Sequence, residues 1–174
     1  MQRWTPRLAK AAHAPTFSTI LSIFLAVFVL LGLAACATGP ARRVSEPTAS
    51  IQQLRVEADG RWTVDLRLQN FSNVTMRFEQ VKLTLRAGEE TAGELTADTA
   101  LTVGPESADI AQVTLTPSAG ARILVAGVLA DRRNLDYTLE GTLMAAAEDR
   151  KSREYRIRRN SALSPVPGLP GVLR

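Results

Sequence analysis

The chain has 174 residues, 45% of them apolar and 22% charged, with a formal charge of +4. Those are globular proportions at the length of one domain, which sets aside bulk disorder, a collagen-like repeat and a multi-span membrane protein. A single Cys and a single His allow neither an intrachain disulfide nor a Cys/His zinc cage.

In chain order, residues 1–15 carry Arg3, Arg7, Lys10 and His13 and no acid. Residues 20–33 are almost wholly apolar, and Leu33-Ala34-Ala35-Cys36 follows. A positive start, an apolar stretch and small residues at the end describe a secretory signal peptide. The last four residues resemble the lipobox of bacterial lipoproteins. That resemblance implies a diacylglyceryl group on the Cys36 thiol and cleavage of the leader 1–35 before it. Leu33, Ala34 and Ala35 would be read by the peptidase, and the new amino group would be acylated. The competing reading is a membrane-spanning anchor over residues 17–37, just long enough to cross a bilayer. Either way the domain lies outside the cytoplasm. Two or more acyl chains hold a protein stably where one is marginal. Ala37 stands where the inner-membrane retention signal of well-studied Gram-negative lipoproteins has Asp, which by resemblance implies the outer membrane, facing the periplasm. Residues 36–50, rich in Pro, Thr, Ser, Gly and Arg, read as a lipidated flexible tether. The domain proper is expected over 51–159.

That domain reads as all-β. Leu54, Val56 and Ala58 alternate with Arg55 and Glu57, and Trp62, Val64, Leu66 and Leu68 alternate with polar residues. Asp59-Gly60 between the two runs is a two-residue hairpin signal. Met76 and Phe78, then Val81, Leu83 and Leu85, form a third strand whose parity flips near Glu79-Gln80, predicting a bulge there. A turn at residues 87–90 leads to a weaker fourth strand over 93–103. A breaker follows at residues 103–107, and a fifth strand over 108–115 carries a parity shift near Ile110-Ala111. Pro117-Ser118 can start and cap a helix over 119–130, with Ile123, Leu124, Gly127 and Val128 at helical spacing. Leu135 to Leu143 alternates as a sixth strand, and Tyr155 and Ile157 mark a seventh. Seven strands and one helix predict a small antiparallel sandwich.

Asn70-Phe71-Ser72-Asn73 ends a strand, and the order of elements around it is similar to the type 2 late embryogenesis abundant family, also called the WHy (water stress and hypersensitive response) domain. The resemblance covers residues 51–159. Asn70 matches the first Asn of the family's Asn-Pro-Asn motif, while Phe71 and Ser72 replace the Pro and the second Asn. An Asn here can bond the backbone two residues on and bend the chain out of its strand. The resemblance implies an Ig-like or fibronectin-like seven-stranded sandwich with one short helix, and a non-catalytic, stress-linked protective or binding role.

Site chemistry is sparse. The only His lies in the leader and the only Cys is the lipidation site, so His-based acid/base and Cys or Ser triads are set aside. Lys82 and Lys151 read as solvated, and Glu89-Glu90 and Glu148-Asp149 lie in turns. No catalytic residue, metal ligand, cofactor or small-molecule substrate is expected beyond the lipid on Cys36. The chain from Cys36 onward has 18 basic and 17 acidic side chains; residues 44–149 are net −7 and residues 150–174 net +6. Arg150, Lys151, Arg153, Arg156, Arg158 and Arg159 are either a patch for an anionic partner or the charges that guard an edge strand. Nucleic acid is not expected outside the cytoplasm. The Pro/Gly-rich tail, residues 160–174, either docks an envelope partner or packs back on the sandwich. Three roles remain: a protective WHy-like lipoprotein, an adaptor docking through its tail, and a carrier of an apolar ligand between the sheets.

Overall fold

A computed structural model describes residues 41–174; the leader, with Leu33, Ala34, Ala35 and Cys36, lies outside the described residues. The chain folds as β1 (Thr48–Val56), β2 (Trp62–Gln69), β3 (Met76–Ala87), β4 (Glu90–Val103), β5 (Ala108–Leu115), α1 (Ala119–Ala130), β6 (Leu135–Ala147), β7 (Arg153–Leu163) and β8 (Val172–Leu173). Two four-stranded antiparallel sheets result, ordered β5-β2-β1-β8 and β4-β3-β6-β7. This is an all-β sandwich with one short helix. The fourth strand lies beside β3, not beside the fifth as in a constant-type immunoglobulin sheet.

The alternation read from the sequence is the alternation that packs. Trp62, Val64, Leu66 and Leu68 from β2 and Met76, Phe78, Val81, Leu83 and Leu85 from β3 are all buried between the sheets. The space that an apolar ligand would need there is occupied by these side chains. The register slips between Phe78 and Gln80 against both neighbours of β3; against β6 Glu79 is the extra residue, and parity flips there. β4 answers with Thr99 and Ala100, and the Thr99 hydroxyl donates to the Phe78 carbonyl at 3.0 Å.

Five local readings change. The first hairpin has a three-residue loop. Glu57 N–H bonds the Arg61 carbonyl, and Gly60 N–H bonds the Glu57 carbonyl with Gly60 at a φ of 83°. Gly60 supplies the left-handed residue of a type I turn plus bulge. Asp59 braces this loop and has its pKa lowered, first by the Arg61 backbone N–H and then by the Arg61 side chain. β1 starts at Thr48, ahead of both the expected domain start at 51 and the alternation read from Leu54, and a bulge between Ile51 and Gln53 puts Ala49 and Ile51 out of phase with the later residues. The stretch read as tether is fastened to the domain from Arg42 onward. β5 has an unbroken register against β2, so Ile110 sits half-buried on the outer face with no bulge behind it. In α1 the Ser118 hydroxyl caps the helix by accepting from Ala121 N–H at 3.2 Å, as expected, but the buried face is Ala121, Val125 and Val128, and Ile123 is 76% exposed.

The tail packs back. β7 runs to Leu163 because it pairs with β6 as far as Leu135. Residues 164–171 then loop over, and Val172 and Leu173 pair with Arg55 and Leu54 as an eighth strand. Two further groups of β1 find single partners. Ile51 N–H donates to the Tyr137 hydroxyl of the other sheet at 3.1 Å, and the buried Gln53 accepts from Arg174 Nε at 2.8 Å.

Gly141 of β6 shows how tightly the second sheet is built. It has a φ of 151°, and a Cβ there would lie 2.2 Å from the Lys82 carbonyl oxygen of β3. Gly141→Ala is expected to destabilise by about 2–4 kcal/mol, through a strained φ and a backbone clash. Gly127 of α1 has open space where its Cβ would be, so Gly127→Ala should stabilise by about 1 kcal/mol on helix propensity. Urea midpoints of the two variants moving in opposite directions check both.

Candidate functional site

The densest polar site lies where the chain crosses between the sheets. β2 belongs to one sheet and β3 to the other, so residues 70–75 cross the sandwich, and residues 104–107 cross back between β4 and β5. Asn70 is wholly buried between these crossings. Its Nδ2 donates to the carbonyls of Val74 at 2.8 Å, Gly104 at 2.8 Å and Val103 at 3.2 Å. Its Oδ1 accepts from Ser72 N–H at 2.8 Å, and its own N–H bonds the Ser107 carbonyl. One amide therefore satisfies four backbone groups that a turn buried at this depth would otherwise leave costly.

The incoming chain is fastened to the same place. Ser72, also wholly buried, accepts from Ser45 N–H at 3.0 Å and donates to its carbonyl at 3.3 Å. Asn73 Oδ1 accepts from Arg43 N–H at 2.6 Å. Arg43 pairs with Glu106 at 2.9 Å, and Arg42 reaches Asp149 and the Glu148 carbonyl in the β6–β7 turn. Phe71 alone of the four motif residues points outward, 46% exposed. The motif residues are thus brought together, three as a structural junction and one as a surface residue.

The basic residues near the end of the sequence are not gathered in one patch. β7 pairs only with β6 and forms an edge. Arg150 and Lys151 lie in the turn before it. Arg156 and Arg158 alternate onto its outer side, where Arg158 meets Glu140 at 3.0 Å. Arg153 and Arg159 share the parity of the buried Tyr155, and the Arg153 guanidinium stands 5.3 Å from the Tyr155 ring centroid. The residue of this region that charge counting missed is Ser152, whose hydroxyl donates to Glu79 at the β3 bulge. That bond, and after it the Arg77 side chain, holds the Glu79 carboxyl below its ordinary pKa.

The opposite end of the sandwich carries the other two exposed large apolar residues, Ile123 and Leu169. Leu129, Ala130 and Arg132 at the end of α1 face the loop 165–171 across a groove of about 700 Å³. Val56 N–H bonds the Gly171 carbonyl and so fixes the far side of that loop. Among the described residues no group of three or more His, Cys, Asp or Glu is placed to hold a metal ion, and no helix is long and apolar enough to cross a membrane.

No protein-family model matches the chain, and no curated protein matches it. Solved structures similar to it include a protein from Archaeoglobus fulgidus, 13% identical with a TM-score of 0.41, over 71% of this chain and 98% of that one. A protein from Arabidopsis thaliana is 12% identical with a TM-score of 0.45, over 74% and 82%. A protein described as late embryogenesis abundant is 13% identical with a TM-score of 0.41, over 88% and 86%.

Two substitutions test the junction. Asn70→Ala strips partners from buried carbonyls and from Ser72 N–H and should cost about 2–4 kcal/mol. Asn70→Asp sets a carboxylate against three carbonyl oxygens, which raises its folded pKa. Its penalty is therefore smaller below the unfolded carboxylate pKa and grows as pH rises above it; denaturation at acid and neutral pH reads the difference. For Glu79, whose folded pKa is lowered, the stabilisation is present above the unfolded value and is lost as pH falls through the folded one. A carboxyl NMR titration should show Glu79 ionising below the ordinary 4.5, and Ser152→Ala should move it upward.

Proposed function

We propose that the chain is a lipid-anchored, non-enzymatic envelope protein whose sandwich is a WHy-like domain protecting against water stress, displayed from the outer membrane into the periplasm. The observation that carries the reading is Asn70. The residue that matches the first Asn of the WHy motif is the buried amide on which both crossings of the sandwich depend. The leader and Leu33-Ala34-Ala35-Cys36 support the anchor, and a chain without His after residue 13 offers little to acid/base catalysis at neutral pH.

A second reading has its own observation. The groove between the end of α1 and the loop 165–171, with Leu169 half-exposed beside it, suits an adaptor that binds an apolar segment of an envelope protein. The tail would then act as one fixed wall of a groove and not as a free arm.

Drying survival separates the two readings. A strain lacking the gene should lose viability after drying or freezing and regain it with the wild-type gene, but not with Cys36→Ala, which should also take up no labelled palmitate. Under the protective reading, Leu169→Asp leaves survival intact. Under the adaptor reading, it abolishes crosslinking of a partner in intact envelope. Unchanged survival of the deleted strain would overturn the first reading.

A further inference from the structure

The two ends of the sandwich differ in what they expose and in how far they stand from the proposed anchor. Arg43 is fixed to Asn73 by hydrogen bonds in both directions, at 2.6 Å and 3.2 Å. Between Cys36 and Arg43 there are seven residue steps, which span at most about 25 Å even fully extended. β3 is twelve residues long and extends roughly 40 Å at 3.3 Å per residue. An anchor at Cys36 therefore holds the Asn70 end close to the bilayer, while α1 and its groove stand a domain length away.

The near end is composed unlike an ordinary solvated loop cluster. Phe71 lies between the wholly buried Asn70 and Ser72, so the loop that presents it is rigid and the ring is turned outward at a fixed place. Arg43 bonds the Phe71 carbonyl, which leaves the ring as the outward part of that residue. Three acids of this end are held in ion pairs: Glu106 pairs with Arg43, and Glu148 and Asp149 pair with Arg42. Glu46 in the entering segment, Asp109 at the start of β5 and Glu154 at the start of β7 are further exposed acids of this end. Arg150 and Lys151, exposed in the neighbouring turn, are not among the residues that form these ion pairs. An apolar ring with cations nearby suits the headgroup–acyl boundary, where Phe is buried while Lys and Arg stay at the level of the phosphates.

Resting on the lipid-anchor reading above, we propose that this end of the sandwich seats on the phospholipid leaflet that holds Cys36. The Phe71 ring lies in the headgroup–acyl boundary, and Arg150 and Lys151 lie against lipid phosphates. A single ring and two cations would bind a membrane weakly on their own. Tethered within a short span they are in effect at high local concentration, and the contact needs little affinity to be occupied. The seating would fix the groove of α1 facing away from the membrane.

The test uses the full chain, produced in a bacterium, purified with its lipid and reconstituted into vesicles of phosphatidylethanolamine and phosphatidylglycerol. Phe71→Trp places a reporter at the near end and Ile123→Trp at the far end. Trp4 leaves with the leader on processing, and the remaining native Trp62 is buried and supplies a constant background. Mass spectrometry of the Cys36 peptide establishes the acyl groups, and thermal unfolding confirms that both variants fold. The expected result is a blue-shifted Trp at 71 that loses emission when the acyl chains carry bromine near the glycerol, and a Trp at 123 that keeps its emission. An acylated, vesicle-bound protein whose Trp at 71 is not quenched overturns the seating and leaves the anchor standing; so does equal quenching at both sites. A Trp at 71 that is blue-shifted but insensitive to bromine would mean a protein covers the ring, and also overturns the seating. A chain with no acyl group on Cys36 and no vesicle association overturns the anchor, and the seating with it.

Discussion

A sandwich whose strands change sheets must pass polar backbone through its own apolar edge, and here the burden of that passage falls on one side chain. Asn70 has two amide hydrogens and one carbonyl oxygen, and it spends them on four backbone groups from two crossings that are far apart in sequence. The arrangement couples the β2–β3 crossing to the β4–β5 crossing. Neither loop can move without exposing carbonyls of the other. Residues 43–45 are fastened to the same loop through Ser72 and Asn73, so the place where the chain enters the domain is also the place where its two sheets are joined.

The same end carries the chemistry that would face a membrane, and the opposite end carries the groove that would face a partner. That division follows from strand direction. Every loop at one end joins β2 to β3, β4 to β5, or β6 to β7, and the loops of the other end, with α1 and the tail, lie a strand length away. A sandwich held at one of these ends would have a proximal and a distal pole set by strand direction alone.

Much of this was legible in the alternation of side chains. β2 and β3 could be placed to within a residue at each end, and the bulge to Glu79-Gln80, because each carries large apolar residues on one face and charges on the other, and a bulge shifts that pattern by one. β1 was harder to read. Its first half offers only Ala49 and Ile51 as inward residues, and the bulge before Gln53 puts them out of phase with Leu54. The outward face of Ile123 was invisible for a different reason. α1 has a single charged residue, Arg122, so its apolar composition gives no contrast between faces, and only packing against the sandwich chooses Val125 and Val128. Asn70 could be singled out as a chain-bending residue, but its partners at residues 103 and 104 are more than thirty positions away, where no local pattern points. The six basic residues near the end leave two readings open in the sequence, a patch or the guard of an edge strand, because closeness in sequence does not say onto which side of a strand each residue falls.

The short return of Val172 and Leu173 to β1 has a consequence for solubility. A sheet edge is a row of unpaired amides that invites any passing strand. β1 would offer such a row along the side away from β2. The tail takes the stretch at Leu54 and Arg55, Tyr137 takes the N–H of Ile51, and Arg174 takes the side chain of Gln53. The protein thus supplies its own decoy strand, and its prolines at 165, 167 and 170 make the flanking loop a poor template for continuing the sheet. In a crowded population the occupied stretch of β1 is closed to strand pairing with a neighbouring copy, which leaves β4, β5 and β7 as the outermost strands of the sandwich.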